Sequence, residues 1–409
     1  MTATWNLLVY AIAGDATEHQ NVLSAIDDMR AALTTNQCRV AVQIMARGKT
    51  SRYWISDDDD IRTEAIDLVD ASRAAPLTSF LAAAAERHPA ASTALALWAH
   101  GSGLDHVHTA PHKPAGGAGL GGSGGGWSSV HGWLGFEADR HGADPGHHPA
   151  HRGRIVRQPR RPGYGCRWGP DPNTSDFLTN VTMKKAIAAG PHGAVDLLAL
   201  NACWMATLEV EYELRRVAAA VVASQVYCRP WPYRAIVESL SRRPAQSAEQ
   251  LAQAIITSVG SEIAADQRRD AVSAFRAGAA LDDLAAAFDR YARRAAILID
   301  SDWDAVRDAV MARAQRLDDP YQVDLASLVK VLGRGDAEAQ DLALAVARQL
   351  DAMRIGNAVH HDHPGLGGLS IFCPKSTEVD LADAYAGTEF RTNAWAGFLA
   401  RFQTRLAAS

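Results

Sequence analysis

The sequence predicts an α/β protein, a mostly parallel sheet sandwiched by helices, followed by a C-terminal helical subdomain. Three observations predict it. Apolar runs alternate with amphipathic stretches through the first half. Those runs are apolar at successive positions rather than at every second one, as strands covered on both faces of a parallel sheet must be. From residue 247 onward the runs fade while helical periodicity continues.

The elements follow in order. Residues 5–13 (WNLLVYAIA) form a buried first strand. This run and its Ala11-Ile12-Ala13 triplet imitate a secretory leader, but the first basic residue is Arg30, so no basic segment precedes it. The expectation is a cytoplasmic protein without a convincing signal peptide. Residues 18–33 read as a helix, with Val22, Leu23, Ile26, Met29, Ala32 and Leu33 at helical spacing. A strand at 38–46, a helix at 76–87 and a strand at 93–100 come next. Later come a helix at 176–189 capped by Ser175, a strand at 194–200, a helix at 209–217 and a strand at 219–223. Four or five helices are expected, at about 248–265, 281–300, 303–317, 323–332 and 337–355, without a convincing strand among them. Residues 368–373 return as a strand, and 393–406 close the chain as a helix with Trp395, Phe398, Leu399 and Phe402 on one face. The expected organisation is thus 1–104 and 175–246 as two halves of the α/β domain, 105–174 as an insert, 247–357 as the helical subdomain, and 358–409 as the returning strand and last helix.

Composition narrows the function classes. The 409 residues carry 41 Lys+Arg against 46 Asp+Glu, with 47% hydrophobic and 21% charged, which excludes a wholly disordered or fibrous chain. A net charge of −5 gives no reason to expect a nucleic-acid or anionic-membrane partner. No run reaches the ~18 apolar residues that a membrane span needs. The five cysteines (Cys38, Cys166, Cys203, Cys228 and Cys373) are odd in number, scattered and without a CxxC pair. That argues for free thiols and against a disulfide framework or a structural zinc cluster.

The insert is the compositional anomaly. Of 32 Gly, 16 lie between residues 104 and 170, and of 15 His, eight lie between 106 and 151. Its end is basic, with six Arg and no acid between 151 and 169. Gly117-Ala-Gly119-Leu-Gly-Gly122 and Gly121-Gly-Ser123-Gly-Gly125 imitate a dinucleotide loop and a nucleophile elbow, but no strand precedes them and no helix follows. An esterase built on Ser123 is excluded on the same ground. Gly48-Lys49-Thr50 imitates a phosphate loop but has Gln43 where a glycine is required. The insert histidines and His360-His361-Asp362-His363 read as solvated loop residues rather than metal ligands, so no metal site is assigned.

Two strand ends carry chemistry. His100 ends one apolar run, followed by Gly101-Ser102-Gly103, and Cys203 lies just past another, in Leu200-Asn201-Ala202-Cys203. Sites in parallel sheets form at the carboxyl ends of strands, so both residues are expected in one crevice. A thiolate that attacks a carbonyl carbon and an imidazole that protonates the leaving amine suffice for acyl transfer. The backbone N–H groups of Gly101 and Cys203 are the expected oxyanion donors. Asp196, several residues back on the same strand, is not enlisted.

These residues resemble the clostripain family of cysteine peptidases, within the caspase-like group. The family's histidine lies in a pattern like L-x-L-W-x-H-G-x-G, here Leu95-Ala-Leu97-Trp98-Ala-His100-Gly101-Ser-Gly103. Its cysteine lies in D-A-C-x-M-x-x-x-E-x-x-Y-E-L, here Asn201-Ala202-Cys203-Trp-Met205-Ala-Thr-Leu-Glu209-Val-Glu-Tyr212-Glu213-Leu214. The first strand with Asp15, Ser224-Gln225 with Trp231-Pro232-Tyr233, Val323-Asp324-Leu325, the strand from Gly368 to Pro374 and Trp395-Ala-Gly-Phe398-Leu399 continue the likeness in order, outside the insert. The resemblance implies a caspase-like fold, a His100/Cys203 dyad, endopeptidase activity through an acyl-enzyme, and activation by cleavage between the two residues. Arg152, Arg154, Arg157, Arg160 and Arg161 are then the candidate processing sites, exposed glycine-rich backbone being readily cut. Asn201, Ser224, Gln225 and Val226 are the expected substrate-binding residues.

Two departures bear on specificity. Family members that cut after Arg or Lys carry Asp two residues before the cysteine, where this chain has Asn201, and many carry Glu at the position of Val226. Losing a charge-assisted partner for a guanidinium costs about 1.5–3 kcal/mol, about tenfold to a hundredfold in preference. The residue before the cut is therefore expected not to be strictly basic. No cofactor is required for this chemistry, and no residue pattern indicates calcium. Partners are a peptide or protein substrate, with oligomeric state open. The alternative reading is a catalytically inactive caspase-like module that binds protein.

Overall fold

The computed structural model describes residues 3–57, 61–104, 167–170 (backbone), 172, 176–377 and 379–409. They fall in the unit formed by Met1–Val107 and Tyr164–Ser409. The second unit, His108–Gly163, lies outside the described residues, and with it the candidate processing sites Arg152, Arg154, Arg157, Arg160 and Arg161. Cys166 also lies outside them; Cys38, Cys203, Cys228 and Cys373 are free thiols.

The strands are β1 (Ala3–Ile12), β2 (Cys38–Ala46), β3 (Lys49–Ile55), β4 (Ile61–Ile66), β5 (Ala90–Trp98), β6 (Arg167–Pro170), β7 (Phe177–Thr179), β8 (Val195–Asn201), β9 (Ala218–Ser224), β10 (Ala271–Arg276), β11 (Gln322–Asp324), β12 (Arg354–Val359) and β13 (Ser370–Phe372). Nine of them make one sheet in the order β12-β10-β9-β8-β5-β1-β2-β3-β4. The middle five, β2-β1-β5-β8-β9, are parallel. An antiparallel pair extends each edge.

The doubly apolar runs explain the parallel centre. Leu8, Tyr10, Leu95, Leu97, Leu198, Leu200 and Val221 point into one core; Leu7, Val9, Ala94, Ala96, Leu197, Ala199, Ala220 and Val222 point into the other. Each buried Leu or Val side chain contributes about 1.5–3 kcal/mol. A slip of one residue would exchange the faces, and because both are covered the helices above and below fix the register. Helices Ala16–Ala32, Tyr233–Arg242 and Ala248–Ala264 cover one face through Ile26, Ile236 and Ile255, among others; Ala74–Arg87 and Asn180–Ala188 cover the other through Phe80 and Met183.

Three expectations change. Residues 247–357 are not an all-helical subdomain: β10 and β12 join the central sheet, and β11 pairs with β13 in a small separate sheet. The helix expected at 176–189 begins at Asn180, capped by Thr179 rather than Ser175, because β7 occupies the residues before it. Gly48, with φ +70°, makes the tight connection between β2 and β3, which accounts for Gly48-Lys49-Thr50 without a phosphate. Among the described residues no helix is long and apolar enough to cross a membrane.

Candidate active site

β5 and β8 are adjacent and parallel, with Trp98 paired to Asn201. His100 is two residues beyond Trp98 and Cys203 two residues beyond Asn201, so the register brings both to the same carboxyl edge. The backbones touch there. A Cβ at Gly101 would lie 2.5 Å from the Cys203 carbonyl oxygen and 2.9 Å from the Met205 sulfur, so no larger residue fits.

His100 is oriented by a residue that the motifs did not reveal. Its Nε2 lies 2.5 Å from Glu18 Oε1, with about a third of the His100 side chain exposed. Glu18 is in the first turn of the helix Ala16–Ala32, where Asp15 caps the helix by accepting the N–H of Glu18 at 2.8 Å. The other Glu18 oxygen accepts the N–H of Gly14 at 2.6 Å. Asp15-x-x-Glu18 was readable as a capping pair; its second use, holding an imidazole 82 positions on, was not. Burial alone would lower the His100 pKa, but the hydrogen bond and charge of Glu18, with Asp15 behind them, raise it. Burial pushes the Glu18 carboxyl up, and the His100 contacts with the backbone N–H groups of Gly14 and Asp15 outweigh that to hold it low.

Cys203 is only 6% exposed. Its Sγ accepts the N–H of Cys228 at 3.3 Å and lies 3.9 Å from the Cys228 carbonyl oxygen. Burial pushes this thiol up to about 12; the Cys228 N–H opposes the shift, and the charges of Asp318 and Asp270 add to it. The thiol is therefore protonated at neutral pH, beneath the loop at 226–231. Trp204, next in the chain, has φ +56°, a backbone conformation uncommon outside glycine. It is held there by its N–H on the Val226 carbonyl at 3.2 Å and by its indole N–H on Asp318 Oδ1 at 2.7 Å. The other Asp318 oxygen accepts the N–H of Tyr227 at 3.3 Å, so one carboxylate ties the nucleophile's neighbour to the covering loop.

The four expected substrate-binding residues are buried. Asn201 Nδ2 donates to the Arg229 carbonyl at 3.0 Å and to Cys228 Sγ at 3.4 Å; its Oδ1 accepts from the Trp231 N–H and the Tyr233 hydroxyl. Both ends of the amide are thus engaged in bracing the loop. An ionised aspartate has no hydrogen to give Arg229 or Cys228, so this loop path explains the asparagine. Ser224 Oγ donates to the Ala271 carbonyl, and Gln225 bridges Asp324, through Nε2 at 3.1 Å, and the N–H of Gly368, through Oε1 at 2.8 Å. Val226 packs with Ala271, Leu317 and Leu366. In this conformation none of the four offers a free polar atom to a substrate. Asp196 accepts the N–H of Thr93 and braces the start of the strand pair.

The segments that carried the sequence resemblance meet in space. Asp324 accepts from Gln225, Gly367 and Ser327. Glu209 Oε1 accepts the N–H of Phe372 at 3.1 Å and the Tyr385 hydroxyl at 3.0 Å, and the Trp395 indole donates to the Phe372 carbonyl.

Fold and strand-end pair together define a class: a helix-sandwiched, mostly parallel α/β sheet with a thiol and an imidazole on one edge. The clostripain family model, peptidase family C11, matches residues 166–333, the part that holds Cys203. Two crystal structures cover nearly the whole chain. A secreted C11 cysteine protease from Bacteroides thetaiotaomicron, bound to an irreversible peptide inhibitor, aligns with TM-score 0.63 and 16% identity over 96% of this chain and 99% of its own. An inactive zymogen C11 protease from Parabacteroides distasonis aligns with TM-score 0.62 and 18% identity over 97% and 99%. No curated protein matches the sequence. The resemblance read from the motifs thus has a sequence match over residues 166–333 and a fold match over nearly the whole length: clostripain-family cysteine peptidases are what this chain is similar to.

Proposed function

We propose that the protein is a cysteine endopeptidase with Cys203 as nucleophile and His100 as general acid and base. The observation that carries the reading is the matched register of β5 and β8, which ends both strands at one edge with Glu18 orienting the imidazole. In the reaction the Cys203 proton passes to His100 and the sulfur attacks the scissile carbonyl. The N–H groups of Gly101 and Cys203 receive the developing oxyanion. His100 then protonates the leaving amine, takes a proton from water, and the hydroxide displaces Cys203 from the acyl-enzyme.

The described conformation is a closed one. Cys203 is buried and protonated beneath residues 226–231, and a substrate needs that loop displaced. Cleavage within 105–174, at Arg152, Arg154, Arg157, Arg160 or Arg161, is the proposed trigger, and the zymogen among the similar structures supports it. Because Asn201 braces the loop instead of presenting a charge, the residue before the cut is not required to be basic. The chemistry needs no cofactor, and the substrate is a peptide or protein. The buried thiol also favours a second reading, an inactive module that binds protein in this closed form.

Intact mass of the purified wild type and of Cys203→Ala tests the proposal. Fragments from a cut within 105–174 in the wild type, absent from the variant, support it. Two intact chains, together with no hydrolysis of any peptide in a broad library, favour the binding module.

A further inference from the structure

Away from the Cys203 edge, three donor side chains converge where β12 ends. His360, His361 and Asp362 each bring one donor atom within 4.8 Å of the others, and Asp266 faces them from the turn after the helix Ala248–Ala264. The His360 side chain is 1% exposed and its orientation is fixed at both nitrogens. Nε2 lies 2.9 Å from Asp266 Oδ1, and Nδ1 accepts the N–H of Asp362 at 3.2 Å. Nε2 therefore carries the hydrogen, and the Nδ1 lone pair faces the Asp362 side.

The donor atoms lie near an ion's spacing. One atom from each residue falls within 4.8 Å of the others, and the two imidazoles approach different oxygens of Asp362, His360 Nδ1 at 3.4 Å from Oδ2 and His361 Nε2 at 3.5 Å from Oδ1, so a small side-chain adjustment closes the set on one ion. A tetrahedral ion with nitrogen and oxygen ligands at about 2.0–2.1 Å holds neighbouring donor atoms about 3.3–3.4 Å apart. A carboxylate behind a ligating imidazole, here Asp266, fixes the ring and strengthens it as a ligand.

We propose that His360, His361 and Asp362 form a binding site for a divalent transition-metal ion of the zinc type, with Asp266 as orienting partner and water in the remaining position. Two imidazoles and one carboxylate select such an ion over calcium or magnesium, which take oxygen ligands. The site is open: the His361 side chain is 79% exposed, and a cleft of about 580 Å³, lined in part by Asp266, Asn357 and His361, adjoins it. Binding displaces two contacts, the Asp362 N–H on His360 and the Arg269–Asp362 ion pair at 3.3 Å. The ion pair lies at the surface, where water replaces it; the ion itself takes up the lone pair of buried His360 Nδ1, and the released N–H belongs to Asp362, an exposed residue. The site also touches the loop over Cys203. The N–H of His360 donates to the Asp270 carbonyl, and the Asp270 carboxylate accepts the N–H of Arg229.

The experiment is a cobalt(II) titration of the full chain carrying Cys203→Ala, which removes the reactive thiol and makes the readout independent of peptidase activity. The expected result is one equivalent with visible ligand-field absorption, displaced by zinc. Adding His361→Ala or Asp362→Asn, both at exposed positions, weakens that binding at least tenfold. Adding His363→Ala leaves it unchanged, because His363 Nε2 bonds the Arg269 carbonyl instead. The contrast is needed because eight histidines between residues 106 and 151 offer adventitious sites. The same affinity and spectrum in all of these proteins, or no binding in the parent, overturns the proposal.

Discussion

The strand-end pair and the brace behind it use similar residues for opposite ends. His100 keeps about a third of its side chain open, with its Nε2 on the Glu18 carboxylate. Gln225 and Asp324 are fully buried and held on several sides by Gly367, Gly368, Ser327 and each other. Both sets belong to motifs that carried the family resemblance. A side chain that is fully buried with its polar atoms engaged inside the protein supports the fold, whereas one that stays partly open at a strand end is placed where a substrate can reach it.

Substitution at the pair should have the largest effect on activity. Cys203→Ala and His100→Ala are expected to lower kcat/KM by at least about 10⁴-fold while Tm stays within a few degrees, since neither removes a brace. Thermal melts beside peptide hydrolysis check both halves of that statement. Asp324→Ala should invert the pattern. It strands Gln225 and the N–H of Gly367 in the interior, at a cost of about 2–4 kcal/mol, read as a lower denaturant midpoint.

Asn201→Asp probes the boundary between the two regions. A charge there faces the Arg229 carbonyl and Cys228 Sγ, and should destabilise by about 1–3 kcal/mol without creating selectivity for basic residues. A clean gain of Arg or Lys selectivity at unchanged stability would show that Asn201 lines the pocket after all.

Glu18→Gln is the smallest perturbation and gives a pH signature. His100 has a raised pKa and Glu18 a lowered one. The His100 contribution to stability is present below its unfolded pKa and lost as pH rises through its folded one. The Glu18 contribution is present above its unfolded pKa and lost as pH falls through its folded one. The variant should therefore lose stability relative to wild type most between those two limits. Its activity limb governed by the His100 proton should move to lower pH, with kcat down about tenfold and KM little changed.

The parallel centre of the sheet was legible because its strands are apolar on both sides, and the placement of His100 and Cys203 at one edge because each follows such a strand. The edges were not. β12 (RIGNAV) follows the helix that ends at Met353 with no intervening residue, and so its start reads as the end of that helix. β4 (IRTEAI) is largely exposed and carries no apolar alternation. β10 is a six-residue run between two long helices, too short to stand out by periodicity. The braces escaped for a different reason. Gln225 meets Asp324 across 99 positions and Glu18 meets His100 across 82, and one sequence holds no local sign of such partners.

The central claim is that Cys203, now covered, becomes the nucleophile once the loop opens. Intact-mass measurement after treatment with an irreversible electrophilic peptide tests it most directly, on the chain before and after limited cleavage within 105–174. The account predicts one adduct, on Cys203, formed much faster after cleavage and absent from Cys203→Ala. An adduct that persists in Cys203→Ala, or none in either form of the wild type, would contradict it.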